Sequence, residues 1–374
     1  MTFTVLSDDN VKEIFQGLTL DNVHSLADAL ERALLDYSCA NEQQYQPARS
    51  VVTRPSTGQV SLFMPATTPE FLGVKIVGIA PSKSPSTAPA DDGKPPLPAL
   101  QSALTICDEL GRAIGILNAA ELTAFRTSLG SMLLYRWRKQ TENILVFGAG
   151  AQAVWHVRLA ILLKGRDIRN ITVVNRSSDR IYKLIESLKA TGTLPDHITI
   201  TAVETKDAQG DALEELVTAA DAIFCTTPST QPLWPASYLT SEKARQKTRF
   251  ISAIGSYRLD MAEIDPELLR AVVDPAGPFA SQVLNGQITV DSREGCTEEA
   301  GELVSAGIQH SQMLEAGMVR DQKNKGSSPE LDRWLESGFV IYKSVGIGIM
   351  DIAIGKALMD LAKAKNIGFY APSF

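Results

Sequence analysis

Hydrophobic and polar positions change rhythm several times along this 374-residue chain. Over residues 8–38 apolar side chains recur every three or four positions, as in "LDNVHSLADALERALLDY", and "SDDNVKEIF" sets Ser and Asp ahead of them. That spacing, with those capping residues, predicts helix. The rhythm then shortens. "ARSVVTRP", "QVSLFMPA", "LGVKIVGIA", "SALTICDE" and "AIGILNA" are brief apolar or alternating runs separated by Gly, Pro and polar turns. They predict five strands of one largely antiparallel sheet. Between the third and fourth lies "PSKSPSTAPADDGKPPLP" (81–98), whose composition cannot form a core and predicts a long surface loop.

"AAELTAFRTSLGSMLLYRWRKQ" (119–140) predicts a helix leading into a second rhythm. "ILVFG" precedes a helix from Ala151, "ITVVN" a helix through "DRIYKLIESLKA", and "ITITA" (198–202) a short helix around "ALEELVTA". "DAIFCTT" and "RFISAIGS" continue the series. Alternation of strand and helix predicts βαβ units and a doubly wound parallel sheet. After Asp291 further helices are expected, then a polar break over 320–330 and a final helix near 346–365.

The length fits two or three domains at roughly 150 residues each. A formal net charge of −7 argues against a nucleic-acid or anionic-membrane surface, since both require a basic patch. Cys39, Cys107, Cys225 and Cys296 lie far apart without a CxxC pair, and His24, His156, His197 and His310 are equally scattered. No metal site is expected, and a reducing, cytoplasmic setting fits the cysteines. No basic segment followed by a long apolar run opens the sequence, so no signal peptide is expected. The most apolar late stretch carries Asp351, Lys356 and Asp360, which argues for a buried helix rather than a membrane span.

One turn carries chemistry. Gly148-Ala149-Gly150-Ala151-Gln152-Ala153 is the GxGxxA form of the dinucleotide fingerprint, following a strand and opening a helix. Gly148 permits the tight turn, Gly150 lets the backbone approach a pyrophosphate, and small Ala153 allows close helix–strand packing. The helix N-terminus offers N–H groups and a positive dipole end to the phosphates. An NAD site usually has a carboxylate at the end of the second strand, for the ribose 2′-hydroxyl. Here that strand ends Asn175-Arg176-Ser177, with charge and hydroxyls suited to a 2′-phosphate. The reading is NADPH rather than NADH; the alternative is that Arg176 is a solvated loop arginine. Thr226 and Thr227 close another strand at the sheet end where ligands gather.

Three cations sit in apolar surroundings. Lys75 is the only charge in "FLGVKIVGIA", Arg126 the only one in "LTAFRTSLGSMLLY", and Arg49 begins "RSVVT". Buried cations are costly unless paired or facing a polar cavity. Each could snorkel or meet a carboxylate. Together, beside a nicotinamide fold, they fit a pocket for a carboxylate-bearing substrate. Arginine grips carboxylates bidentately, and a desolvated lysine exchanges protons with an amine or imine.

"QPARSVV", "VSLFMPA", "GVKIVG", "ELTAFRTSLGS", "VFGAGAQA", "ISAIGSYRLDMAEID", "VDSREGC" and "IYKSVGIGIMDIA" occur in an order similar to that of the ornithine cyclodeaminase/mu-crystallin family. The resemblance runs over nearly the whole chain. It implies an α/β protein in which a Rossmann domain (141–329) is joined to a discontinuous α+β substrate-binding and dimerisation domain (1–140 and 330–374), assembled as a homodimer. By motif position it implies that Arg49 and Arg126 hold a substrate carboxylate and that Lys75 handles a proton. Ile254, Gly255, Lys343 and Gly346 would approach the nicotinamide. Where cyclodeaminases carry an aspartate base after "AIGS", this chain has Tyr257; mu-crystallin-like ketimine reductases also lack it and share the strand-end pattern. The expectation is an NADPH-dependent reductase of a cyclic or open α-imino acid, with Tyr257 a candidate helper. The alternatives are an NAD-dependent ornithine cyclodeaminase, an alanine-dehydrogenase-like reductive amination of a keto acid, and a non-catalytic NADPH-binding protein.

Overall fold

A computed structural model describes residues 2–79 and 100–372; the expected loop at 81–98 lies outside the described residues. Two compact units emerge.

The first comprises Met1–Leu18, Asn41–Thr123 and Gly348–Phe374. Its strands are Phe3–Leu6 (β1), Ser50–Arg54 (β2), Gln59–Thr67 (β3), Phe71–Ile79 (β4), Leu100–Asp108 (β5), Ala113–Asn118 (β6) and a last one at Phe369–Ala371. The sheet order is last strand, β1, β6, β5, β4, β3, β2. The five expected strands, β2 to β6, run antiparallel as a meander, and β1 adds to β6 in parallel. Alternation sends Met64, Ala66, Val77, Leu104, Ile106 and Leu117 to a buried face. Each of the larger of these side chains removed from water contributes about 1.5–3 kcal/mol. The helix Gly348–Lys365 covers this face closely: a Cβ on its Gly355 would lie 2.5 Å from Leu104 Cδ2. On the other face Phe63, Ile76 and Ile116 are exposed, and Phe63 stands directly opposite Ile76.

The second unit comprises Thr19–Ala40 and Ala124–Ile347. Among the described residues it has eight parallel strands: Asn143–Phe147 (β7), Asn170–Asn175 (β8), Thr199–Glu204 (β9), Ala222–Cys225 (β10), Phe250–Ala253 (β11), Ile288–Val290 (β12), Met313–Glu315 (β13) and Val340–Lys343 (β14). Their order is β13-β12-β14-β11-β10-β7-β8-β9. The run from β9 to β14 is the doubly wound dinucleotide-binding order, which reverses between β7 and β10. Strands β10, β11 and β14 are buried at every position, which is why they lack an alternating polar face.

The unit boundaries differ from the expected ones. The sequence pattern predicts continuous helix over 8–38, but Ser7 caps Asp8–Gln16 and Thr19 caps Leu20–Cys39, each in a capping box with an Asn. The longer helix belongs to the second unit, where Gly317 packs against the Leu34 carbonyl. Residues 330–347 also belong there rather than with the first unit, because β14 pairs with both β11 and β12. A four-residue strand hidden in "GFVIYKSVG" gave too little periodicity to be seen.

Candidate active site

Strand alternation explains the unusual place of Lys75. On β4 it shares the inward face with Val77 and is buried. Asp351, one turn into Gly348–Lys365, meets it at 2.8 Å, with both side chains 1% exposed. Thr123 Oγ1 lies 3.4 Å from the same Nζ. In the sequence Asp351 is a charge unsuited to a membrane span, and its position as the lone acid in "VGIGIMDIAIG" is the signal that marks it. Arg49, half-buried, directly precedes β2. The segment before it is anchored by Gln46, whose Nε2 donates to the Glu42 and Thr67 carbonyls at 3.0 and 2.8 Å.

In the second unit the GxGxxA turn has the expected form. Gly148 adopts φ +106°, and a Cβ there would sit 2.6 Å from Thr226 Oγ1. Gly150 is the non-helical N-cap of Ala151–Lys164 and has no side-chain cap. A Cβ on Gly150 would meet no atom within 4 Å. Open space therefore faces uncapped N–H groups, as a pyrophosphate requires. Ala151 is exposed, Gln152 half-buried and Ala153 fully buried. A nicotinamide dinucleotide fits this donor set.

At the end of β8, Asn175 Nδ2 donates to the Ser177 carbonyl at 2.9 Å, Arg176 is exposed, and Ser177 heads the helix Ser178–Ala190. Glu204 on β9 lies level with Asn175. Lys206, 2.9 Å away, and Ser178 hold its carboxyl below the usual range. A cavity of about 650 Å³ opens at the other end of this sheet, lined by Thr141, Asn143, Asp221 and Lys247. Dinucleotides bind at the carboxyl ends of the strands, so that cavity is not the cofactor's.

The carboxyl ends are tied together by buried acids absent from the sequence reading. Thr226 Oγ1 donates to the Phe147 carbonyl at 2.7 Å. Glu263 accepts the Thr227 N–H at 2.8 Å and the Gly255 N–H at 2.6 Å. Burial pushes the Glu263 carboxyl up to about 7 against the pull of Lys343 and those N–H donors. Gly255 has no room for a side chain, since a Cβ would strike the Thr227 carbonyl and Glu263. Ile254 is buried beside it. Lys343, at the end of β14, donates to the Ser256 carbonyl and, at 2.7 Å, to Ser256 Oγ. It also pairs with Glu302 at 3.1 Å. Tyr257 is 41% exposed.

Arg126 and Gly346 do come together. Gly346 has φ +85°, and a Cβ there would lie 2.9 Å from both Arg126 Nη atoms. Asp291 accepts the Gly346 N–H at 2.7 Å and the Ser344 hydroxyl at 2.6 Å. His156 is fully buried: its Nδ1 contacts Ser128 Oγ and the Gln152 carbonyl, each at 2.8 Å, and its Nε2 contacts Ser131 Oγ at 2.9 Å. Burial lowers its pKa to about 4, so the ring is neutral near pH 7.

A doubly wound parallel sheet with a GxGxxA turn at the start of its first helix defines a dinucleotide-binding α/β protein, here carrying a second, mixed-sheet unit. The chain belongs to the ornithine cyclodeaminase/mu-crystallin family, whose model matches residues 9–366. It is 26% identical to an uncharacterised protein of Saccharomyces cerevisiae, over 98% of this chain and 99% of that one. It is 22% identical to a Delta(1)-pyrroline-2-carboxylate reductase of Bacillus cereus, over 93% and 95% of the two chains. The fold is that of the Thermococcus litoralis Delta(1)-pyrroline-2-carboxylate reductase, solved with NADH and L-proline. The TM-score is 0.72 at 20% identity, over 98% of this chain and 99% of that one. Among the described residues no helix is long and apolar enough to cross a membrane.

Proposed function

We propose that this family member is an NADPH-dependent reductase that converts an α-imino acid, such as a cyclic ketimine, to the amino acid. At the coarser level it is an oxidoreductase acting on carbon–nitrogen bonds with a nicotinamide cofactor, as are its pyrroline-carboxylate reductase relatives. The observation that carries the reading is Lys75, an ammonium buried on the inner face of a sheet and paired with Asp351 at 2.8 Å. Burying such a pair is costly and seldom adds stability; here the amine meets two side chains able to exchange a proton with it, Asp351 and the Thr123 hydroxyl.

Arg49 and Arg126 take the substrate carboxylate, bidentately where geometry permits. Lys75 Nζ donates a proton to the imine nitrogen, and Asp351 keeps that amine charged and aimed. Proton transfer of this kind contributes about 10²–10⁴-fold in rate. When bound, the nicotinamide supplies the hydride. Gly148, Gly150 and the helix start at 151–153 receive its pyrophosphate, and Thr226, Thr227, Ile254 and Gly255 line the strand ends nearby. Arg176 with Ser177 reads the 2′-phosphate, no carboxylate standing at the end of β8. Half-exposed Tyr257 has at most a helping part, and its replacement of an aspartate base disfavours ornithine cyclodeamination.

The first unit serves as the substrate-binding and dimerisation domain of a homodimer. Its exposed Phe63, Ile76 and Ile116 on one sheet face would be covered by a second copy. All four cysteines are free, which suits the reducing cytoplasm.

The test follows NADPH and NADH oxidation with a panel of cyclic imino acids, alongside ornithine plus NAD assayed for ammonia. Rapid NADPH oxidation, with Arg176→Ala losing roughly tenfold or more in affinity for NADPH but not for NADH, is the expected result. Ammonia released from ornithine without NADPH consumption would overturn it.

A further inference from the structure

We infer that Asp291 is a positioning residue that, through the turn at 344–346, seats the Arg126 guanidinium for its carboxylate ligand. The inference rests on the reading of Arg126 given above and deepens it.

Asp291 directly follows β12 and is wholly buried. An ionised carboxylate in such a place must be hydrogen-bonded. One oxygen accepts from Ser344 Oγ at 2.6 Å and from Gly346 N at 2.7 Å. The other accepts from Ser292 N at 3.0 Å and Val345 N at 3.3 Å, and the Cys296 thiol lies 3.8 Å from it. One side chain therefore gathers the loop that leaves β14.

Its own position is fixed from behind. Ser292 Oγ lies 2.8 Å from Tyr37 Oη and accepts Gly295 N at 2.9 Å, capping the helix Arg293–Glu299. What Asp291 holds is a turn with Gly346 in the left-handed region at φ +85°. Glycine reaches that region without strain, and other residues do not. The bare face of Gly346 lies against Arg126, and a Cβ there would be 2.9 Å from Nη1 and from Nη2. Any side chain would push the guanidinium away. The chain of cause runs from a carboxylate, through two backbone N–H groups and a hydroxyl, to a glycine surface and then to an arginine.

Neither residue touches substrate on this account. Both act on where Arg126 points. A misplacement of about 1 Å in a positioned group is enough to cost 10²-fold, so the effect should appear in substrate binding.

The experiment compares wild type, Asp291→Asn and Gly346→Ala. The amide of Asp291→Asn keeps one accepting oxygen but turns the other position into a donor facing N–H groups or a hydroxyl. Gly346→Ala leaves Asp291 intact, which covers the case in which the first variant folds poorly. Steady-state KM and kcat for the imino acid are measured with NADPH affinity and melting temperature. Expected in both variants is a KM raised roughly 10- to 100-fold with kcat changed much less, and in Asp291→Asn an unchanged NADPH affinity. KM unchanged in the folded variants would overturn the inference. So would a parallel loss of NADPH affinity and melting temperature with no selective change in KM, the mark of a structural role alone.

Crystal structures of the three proteins separate this inference from the functional reading beneath it. If wild type reduces no imino acid, that reading fails by itself. The seating of Arg126 is then decided by whether its guanidinium moves by about 1 Å or more in the variants. Movement supports the inference, and an unmoved guanidinium overturns it.

Discussion

Lys75 and Lys343 make an instructive pair. Each is 1% exposed, each ends near a carboxylate, and each lies on a strand of its own unit's sheet. Lys343 is fastened by a backbone carbonyl, a hydroxyl and Glu302, in a cluster whose other acid, Glu263, holds the loops after β10 and β11. Its donors are spent on main chain and on neighbours that shape the strand ends. Lys75 meets Asp351 and the Thr123 hydroxyl, side chains that can exchange protons and hydrogen bonds without moving the backbone. Burial alone does not mark a working cation. The backbone hold on Lys343 marks that amine as an anchor of the strand ends.

Replacing Lys75 by Met is the sharpest way to break this contrast. Turnover should fall roughly 10²–10⁴-fold, with NADPH affinity retained, as read by steady-state kinetics and nucleotide titration. Wild-type turnover in the variant would end the distinction. Lys343→Met should act differently, costing about 3–5 kcal/mol of stability because Glu302 is left buried without its partner. It should also weaken nucleotide binding through the loosened strand ends, measured by denaturant unfolding and the same titration. Both variants leave a buried acid behind, so stability falls in both, and nucleotide affinity is the quantity that separates them.

A third buried base extends the comparison. His156 meets serine hydroxyls and a carbonyl rather than a carboxylate, and it stays neutral instead of charging. Its folded pKa of about 4 lies below the unfolded value near 6.5. Above pH 6.5 the two states hold the same number of protons on this group. Between 6.5 and 4 the unfolded chain binds a proton that the folded one refuses, so stability falls with falling pH, by up to about 3 kcal/mol, and levels off below 4. In His156→Gln the urea midpoint should lose that part of its slope between pH 7 and pH 4.5. An unchanged slope would mean the ring is charged in the fold.

The sequence made the mixed sheet, the parallel sheet and the GxGxxA turn legible for a simple reason: each depends on local spacing. Alternation in "QVSLFMPA" and "LGVKIVGIA", and a glycine that must take φ +106°, are visible within ten residues. Lys75 and Arg126 stood out because a single charge in an apolar run is conspicuous. Their partners did not. Asp351, Glu263, Asp291 and Glu302 reach their places through contacts far apart in sequence, and Asp291, just past a strand, looks like any solvated turn acid. Strands β1, β12, β13 and β14 are three or four residues long, too short for a period to register. The partners of Lys343 were hidden for the same reason, since Ser256 and Glu302 come from distant segments.

The order of segments along the chain gives the first unit an unusual biosynthetic history. β1 is flanked by β6 on one side and by the strand Phe369–Ala371 on the other, while the helix that covers the sheet begins only at Gly348. On the ribosome every residue of the second unit is made before that helix emerges. The nucleotide-binding half can thus mature while the part of the sheet face that Gly348–Lys365 later covers is still in solvent. Such a nascent sheet is prone to association until Gly348–Lys365 folds onto it.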